Sequence, residues 1–400
     1  MSVWFNTCNF PKTEVGSGKK AGAPIQTLEN LEMKKTLVAL AALAATSAFA
    51  QSSVTIYGQF DAGLYNIKKA NAAGNTATVY GDGATFSNVL GFRGTEDMGA
   101  GLKAGFHLET DVQTNNGGEN QNGQFRRQAN GNIAGGFGEI KLGITTNPII
   151  ATNGALMPVS GNSVSTATSS AMGFADFYTK NAVTYTSPAI MGLTAQIQRG
   201  MSNNVESSSE GSVTAYSLAY VNGPLEVRYA AQDRKAAAAG TANSGANPST
   251  PGSGAIDAST GAYTATAAAA AKGKESSVMG VKYKVGAWTV GAASLKTQTA
   301  GSAENSGSQM GVGYTTGAWT LGASLTKSEG SKLTNTQARY ALSKRTNLIG
   351  MYATADNKAT VKFFPVAFNT GSAPAAITDS PGGAANTKHS VIGLGLTHSF

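Results

Sequence analysis

Residues able to do acid–base or covalent chemistry are few and scattered. His107, His389 and His398 are the only histidines in the 400-residue chain. The first lies in an early strand-like stretch and the others in the last, so they meet only if a sheet closes on itself. No G-x-S-x-G or H-E-x-x-H spacing accompanies them, which leaves a nucleophile–base pair or a metalloenzyme helix without support. Gly16-Ser-Gly-Lys19 ends like a phosphate loop, but Thr13 stands where the first glycine belongs. Cys8, the sole cysteine, precedes a secretory leader, so a processed chain has no thiolate, disulfide or cysteine metal site. The chemistry that remains is electrostatic. Lys103, His107, Glu109, Asp111 and Gln113 alternate with Leu102, Ala104, Phe106, Leu108 and Val112. A strand sends these two rows to opposite faces. An ionised row is costly in a dry core and acceptable in a wet one. Arg93 lies opposite Leu90 and Phe92 in the preceding stretch, again on a polar face.

The elements that position these rows read as strands throughout. In the closing segment, His389 to Phe400, Ile392, Leu394, Leu396 and Phe400 share one side. Val391, Gly393, Gly395, Thr397 and Ser399 take the other, and the chain ends on an aromatic residue. Val54 to Tyr65 is a first strand, Phe86–Arg93 a second, Gly94–Gly101 a turn, and Leu102 onward a third. The fourth, near Gln124 to Ile133, fits worst. Arg127 lies on one face while Asn130 and Asn132 fall on the face expected to be apolar, which suggests packing against another subunit. After a fifth strand, Phe137–Ile144, alternation stops over 145–179. Further pairs of strands follow, with long Ala/Gly/Ser/Thr-rich loops at 233–275 and 356–388. Met279–Leu295 is echoed by Met310–Leu325, each two strands around a Gly-Ala corner flanked by Tyr283/Trp288 or Tyr314/Trp319. The pattern predicts an all-β fold: a transmembrane, antiparallel, up-and-down barrel of about sixteen strands, with short turns at one end and long loops at the other. Sixteen strands enclose an aqueous channel.

Met33–Ala50 has the three parts of a secretory signal: Lys34 and Lys35, an apolar Leu37–Ala45, and Ala48-Phe49-Ala50 for cleavage after Ala50. Residues 1–32 read as an over-extended start, and 51–400 as the barrel. Beyond the leader, 25 Lys+Arg face 19 Asp+Glu, a net charge of +6 spread along the chain, unlike the clustered charge of a nucleic-acid binder. Mean hydropathy of −0.13 excludes a helical membrane protein.

Taken together, several motifs resemble the trimeric general porins of Gram-negative outer membranes. They are Ser53-Val-Thr-Ile-Tyr-Gly58, Leu90-Gly-Phe-Arg-Gly-Thr-Glu-Asp-Met-Gly-Ala-Gly-Leu-Lys-Ala104, Arg127-Gln-Ala129, Gly135-Gly-Phe-Gly138, Asn181–Pro188, Tyr340–Thr346 and Gly395–Phe400. The resemblance implies a homotrimer embedded in outer-membrane lipid after Sec export, passing ions and small hydrophilic solutes, with no cofactor. It also implies a third external loop folded into the lumen, acidic residues on that loop facing a basic wall, and Phe400 read by the barrel-assembly machinery. Arg127 stands at a wall-arginine position. Lys180 occupies a second basic position, with inward parity counted against Val183 and Tyr185.

The chain departs from the family pattern at Val89 and Ile144, each where an arginine is usual. Its loop 145–179 holds one acid, Asp176, where the family has several. The expectation is a constriction of low charge and a weakened cation preference, tipping toward anions, unless Asp61, Glu109 and Asp111 compensate. A sugar- or anion-specific channel would use an aromatic track, for which Phe174, Phe177 and Tyr178 are the candidates, or these may only anchor the loop. A barrel adhesin would use the long loops.

Overall fold

The computed structural model describes residues 53–70, 74–83, 85–118, 123–158, 167–174, 177–202, 208–237, 255–256, 263–264, 272–358, 363 and 387–400. The expected leader, cleavage site and residues 1–32 lie outside them, as does Asp176. One seventeen-stranded antiparallel sheet dominates. Sixteen of its strands form a meander: β1 Ser53–Lys68, β2 Val89–Gly99, β3 Leu102–Asp111, β4 Gln128–Gly135, β5 Gly138–Thr146, β6 Tyr178–Thr186, β7 Leu193–Gly200 and β8 Val213–Asn222. They continue as β9 Leu225–Arg234, β10 Lys274–Val285, β11 Trp288–Thr299, β12 Glu304–Thr316, β13 Trp319–Ser328, β14 Ser331–Ala341, β15 Thr346–Asn357 and β16 Thr387–Ser399. Each pairs with its neighbours, and β16 returns to β1 from Gln59↔Ser399 to Lys68↔Ser390. The sheet therefore closes, which removes the exposed edges an open sheet would carry.

Alternation decides which side of the wall each residue takes. Val54, Ile56 and Leu64 on β1 and Ile392, Leu394 and Leu396 on β16 are exposed, Leu394 to 73%. Apolar side chains so bare on paired strands suit an outer face that meets an apolar medium. The opposite row of β1, including Asp61, Tyr65 and Ile67, is buried. At the short-turn end, Trp288 packs on Tyr314 at 4.6 Å and Trp319 on Tyr340 at 4.8 Å between ring centroids, the placement of an interfacial girdle. Those turns begin with glycine: Gly286 has φ +57° and Gly317 φ +53°, the positive φ that a right-twisting two-residue hairpin needs at its first central residue.

Aromatic rings lie over glycines across strands and lock the seam. A Cβ added at Gly393 would fall 2.2 Å from Tyr65 Cδ1. Gly393→Val is expected to cost about 2–3 kcal/mol by expelling that ring. The temperature at which the folded gel band is lost should fall. Gly350→Ala, whose new Cβ meets only Leu394 Cδ2 at 3.6 Å, should leave it unchanged.

Three details differ from the sequence expectation. First, Gly94–Met98 belong to β2, and only Ala100 and Gly101 make the turn, because the ladder to β3 persists to Gly99↔Leu102 past a bulge. Second, Phe86 is not in a strand. A short strand, Ala77–Asp82, and β2 share one edge of β1, and Gly83 and residues 85–88 leave the ladder between them. Asp61 holds that excursion on the inner face, where its carboxylate accepts from the amides of Thr85 at 2.8 Å and Phe86 at 2.7 Å. Third, Asn130 and Asn132 face inward. Asn130 pairs with His107 and Asn132 with Lys141, and directly opposed residues share a face. Arg127 precedes β4, so parity counted through it was off by one. Their amide donors find partners within the chain: Asn130 Nδ2 donates to Ile144 O and Gln128 Oε1, and Asn132 Nδ2 to Glu139 Oε1.

Candidate functional site: the charged inner wall and its loop

The inner rows of β3 and β4 meet in an ion network. Glu109 and Asp111 lie on the inner row of β3. Arg126 and Arg127 stand just before β4, where Arg127 N donates to Glu109 O at 3.3 Å. Arg127 Nε reaches Glu109 Oε1 at 2.6 Å and its Nη1 reaches Asp111 Oδ1 at 3.1 Å. Arg126 Nε lies 2.5 Å from Asp111 Oδ2. Both guanidinium groups sit over the Tyr178 ring, at 5.6 Å and 5.2 Å. Tyr57 continues the network: its hydroxyl donates to Glu109 Oε2 at 2.6 Å and bonds His107 Nε2. Such an arrangement holds cations and anions in balance in a partly buried place, where an unpaired charge would be costly. Arg93 is the exception. Its guanidinium lies 5.2 Å over the Tyr57 ring, and it enters none of the ion pairs among the described residues.

A second cluster lines β9 and β10. Glu226 is shared by Arg228 Nε and by Lys282 Nζ, the latter at 2.7 Å. On β5, Lys141 pairs with Glu139 at 3.2 Å. Each of these carboxylates is therefore taken up by at least one cation, and Glu226 by two.

Between β5 and β6 the chain forms two helices that alternation did not foresee, α1 Pro148–Leu156 and α2 Ala167–Met172. The signal for α1 was present: Asn147 Oδ1 accepts from Ile149 N at 3.0 Å, and Pro148 follows at the first helical position. Asn147 Nδ2 also donates to Thr179 Oγ1 at 3.1 Å, tying the helix start to β6. Ile149, Leu156, Met157, Met172 and Phe174 form one buried cluster with the inner-row residues Ala230, Val278, Ala293 and Leu295. The segment thus lies against the inside of β9–β11. Phe174 is an anchor in that cluster, and Tyr178 is covered by arginines, so neither offers a free face for stacking a sugar.

The sequence-derived residues fare unequally. Glu109, Asp111 and Arg127 converge, with Arg127 neutralised by its neighbours instead of facing the loop alone. Arg93 stands on the same inner face. Lys180 is half-buried at a break where the ladder passes from Gly143↔Ala182 to Thr145↔Thr179, and Asn181 has φ +49°. Inward parity counted from Val183 and Tyr185 does not extend across that bulge. Phe400 exchanges two backbone bonds with Gly58, at 3.0 and 3.2 Å, and its ring lies 5.8 Å from Phe60. The histidines stay apart: His398 bonds Thr346 at 2.9 Å and His389 bonds Lys69 O at 2.6 Å, far in register from His107. Among the described residues no group of three His, Cys, Asp or Glu side chains could hold a metal. Arg126, Tyr57, Glu226, Arg228 and Lys282 were not anticipated. Inward parity on β9 and β10 could have found the last three.

A family model described as Gram-negative porin matches residues 36–360. Outer membrane porin protein 32 of Delftia acidovorans is 34% identical over 232 residues, 52% of this chain and 62% of the relative. An outer membrane porin protein of Bordetella pertussis is 34% identical over 225 residues, 49% and 58% respectively. The chain thus spans less than two thirds of the length of these curated relatives. Among solved structures, an anion-selective porin from Comamonas acidovorans superposes with a TM-score of 0.64 at 22% identity, covering 88% of this chain and 100% of that one. OmpT of Vibrio cholerae in its trimer form reaches 0.59 at 13% identity, covering 87% and 99%.

Proposed function

Because this chain belongs to the Gram-negative porin family, we propose that it forms a water-filled channel in the outer membrane for passive diffusion of ions and small hydrophilic solutes, with a slight preference for anions. The observation that carries the sign is the inner wall. Its carboxylates Glu109, Asp111, Glu139 and Glu226 are each held in ion pairs and that of Asp61 is taken up by the amides of Thr85 and Phe86, while Arg93 is in no ion pair among the described residues. Carboxylates already paired attract passing cations weakly, and a guanidinium outside any ion pair on the inner face favours anions. The anion-selective porin of Comamonas acidovorans, similar in fold, supports the same direction. The trimer form of OmpT supports a homotrimer. Export on Met33–Ala50 and reading of Phe400 by the barrel-assembly machinery complete the proposal. Paired backbone at Gly58 gives Phe400 a defined place at the closing seam.

The test is reconstitution of residues 51–400 in a planar bilayer with a KCl gradient. Stepwise, ohmic channels with a reversal potential of anion sign are expected. Arg93→Gln should then bring that potential back toward zero or to cation sign. A strongly cation-selective wild type would overturn the sign. Absence of channels from folded protein would overturn the porin reading and favour an adhesin.

A further inference from the structure

We propose that two lysines of β10, Lys282 and Lys274, hold the helical loop between β5 and β6 against the wall and so set the open cross-section of the pore. The inference deepens the channel reading and rests on it. A helix ends with backbone carbonyls that have no partner inside the helix, and they carry the negative end of its dipole. Neither α1 nor α2 has a basic residue in its own last turn. The wall supplies both. Lys282 Nζ donates to Ala155 O, in the last turn of α1, at 2.6 Å. Lys274 Nζ donates to Gly173 O, just past α2, at 2.8 Å. At that end Gly173 takes φ +68°, and Phe174 N bonds Ser169 O at 2.9 Å, so the helix terminates in a left-handed cap whose next carbonyl faces the lysine.

The two lysines are eight residues apart on one strand, so they share its inner face and sit roughly 27 Å apart along it. Between them β10 is shaped to receive the loop. Val278 packs in the cluster with Ile149, Leu156 and Phe174. Gly280 leaves room for Leu156, whose Cδ1 would be 2.8 Å from an added Cβ. Lys282 is itself braced by Glu226, which Arg228 also holds, so its ammonium has a second partner on the wall beside the helix end. A charge-assisted hydrogen bond to a helix terminus at each end makes a two-point clamp on a segment with few charges of its own. The clamp also gives Glu226 a role as positioning residue for Lys282.

The experiment compares wild type with Lys282→Met, Lys274→Met, Lys282→Arg and Lys284→Met, all checked for folding by heat-modifiable mobility. Lys284 shares the inner parity of β10 without a helix carbonyl among its described contacts, so Lys284→Met reports loss of charge alone. Two readouts are used: open-channel noise in single-channel recordings, and chymotrypsin cleavage at Phe174 in the folded barrel, which does not depend on conduction. Lys282→Met and Lys274→Met should raise the displaced-loop population about tenfold, the equivalent of one charge-assisted bond, with matching rises in noise and cleavage. Lys282→Arg should restore both, and Lys284→Met should behave like wild type. If Lys282→Met and Lys274→Met match Lys284→Met in both readouts, the clamp is wrong while the channel stands. If wild type conducts nothing, the channel reading fails, and cleavage alone then decides whether the clamp exists. Should Lys282→Met not fold, Lys274→Met carries the comparison.

Discussion

Replacing Glu109 by Gln and Asp111 by Asn in one variant should raise the anion-to-cation permeability ratio about tenfold in dilute salt. The two carboxylates neutralise Arg126 and Arg127, the nearest at 2.6 Å and 2.5 Å. Removing both negative charges at nearly constant shape turns a balanced wall into one carrying two added positive charges. For an ion passing about 8 Å away in a wet channel, each charge contributes about 0.5–1 kcal/mol, or about two- to fivefold. The effect should shrink in molar salt, where the screening length falls to about 3 Å. Stacking on Tyr178 and the Gln and Asn carbonyls keep the arginines in place, so the number of channels per insertion event should be unchanged. A reversal potential that does not move in dilute salt would mean that this wall does not line the narrow path.

Gly291→Leu should lower single-channel conductance by about half. Gly291 sits on β11 opposite Lys282, under the end of α1. Even a Cβ there would lie 2.2 Å from Leu156 O and 3.1 Å from Pro158 Cδ. A backbone carbonyl cannot rotate aside, so the helix end must retreat from the wall, and the only free direction is into the lumen. A displacement of about 3 Å is comparable to the thickness of a side-chain layer, and overpacking of this kind typically costs about 1–3 kcal/mol. Gly291→Ala should give a smaller fall in the same direction. If conductance is unchanged in folded Gly291→Leu protein, the loop does not bound the conducting path.

How far the site was legible depends on how far each residue sits from a regular ladder. Glu109 and Asp111 lie inside β3, where a period of two assigns faces reliably, and they converge as the alternation implied. Arg127, Asn130 and Asn132 straddle the start of β4. Lys180 straddles a bulge. One irregular residue inverts every face beyond it, which is why an interior amide pair read as an exterior one. The excursion at Gly83 and residues 85–88 escapes the pattern for a related reason. Its partner, the Asp61 carboxylate, is distant in sequence, and Phe86 alone looks like a strand residue.

The sequence by itself determined the all-β class, the near-sixteen strand count, the closing strand and the apolar and charged sides of most strands, because these follow from local periodicity and short turn chemistry; the family came from the resemblance of its motifs. Tertiary structure decided which charges are paired. Arg126 and Arg127 meet Glu109 and Asp111, Glu226 is shared by Arg228 and Lys282, and the β5–β6 segment becomes two helices whose ends are met by Lys274 and Lys282. Those contacts join residues up to 127 positions apart. They depend on strand register and on closure of the barrel, and no pattern within one segment carries that information.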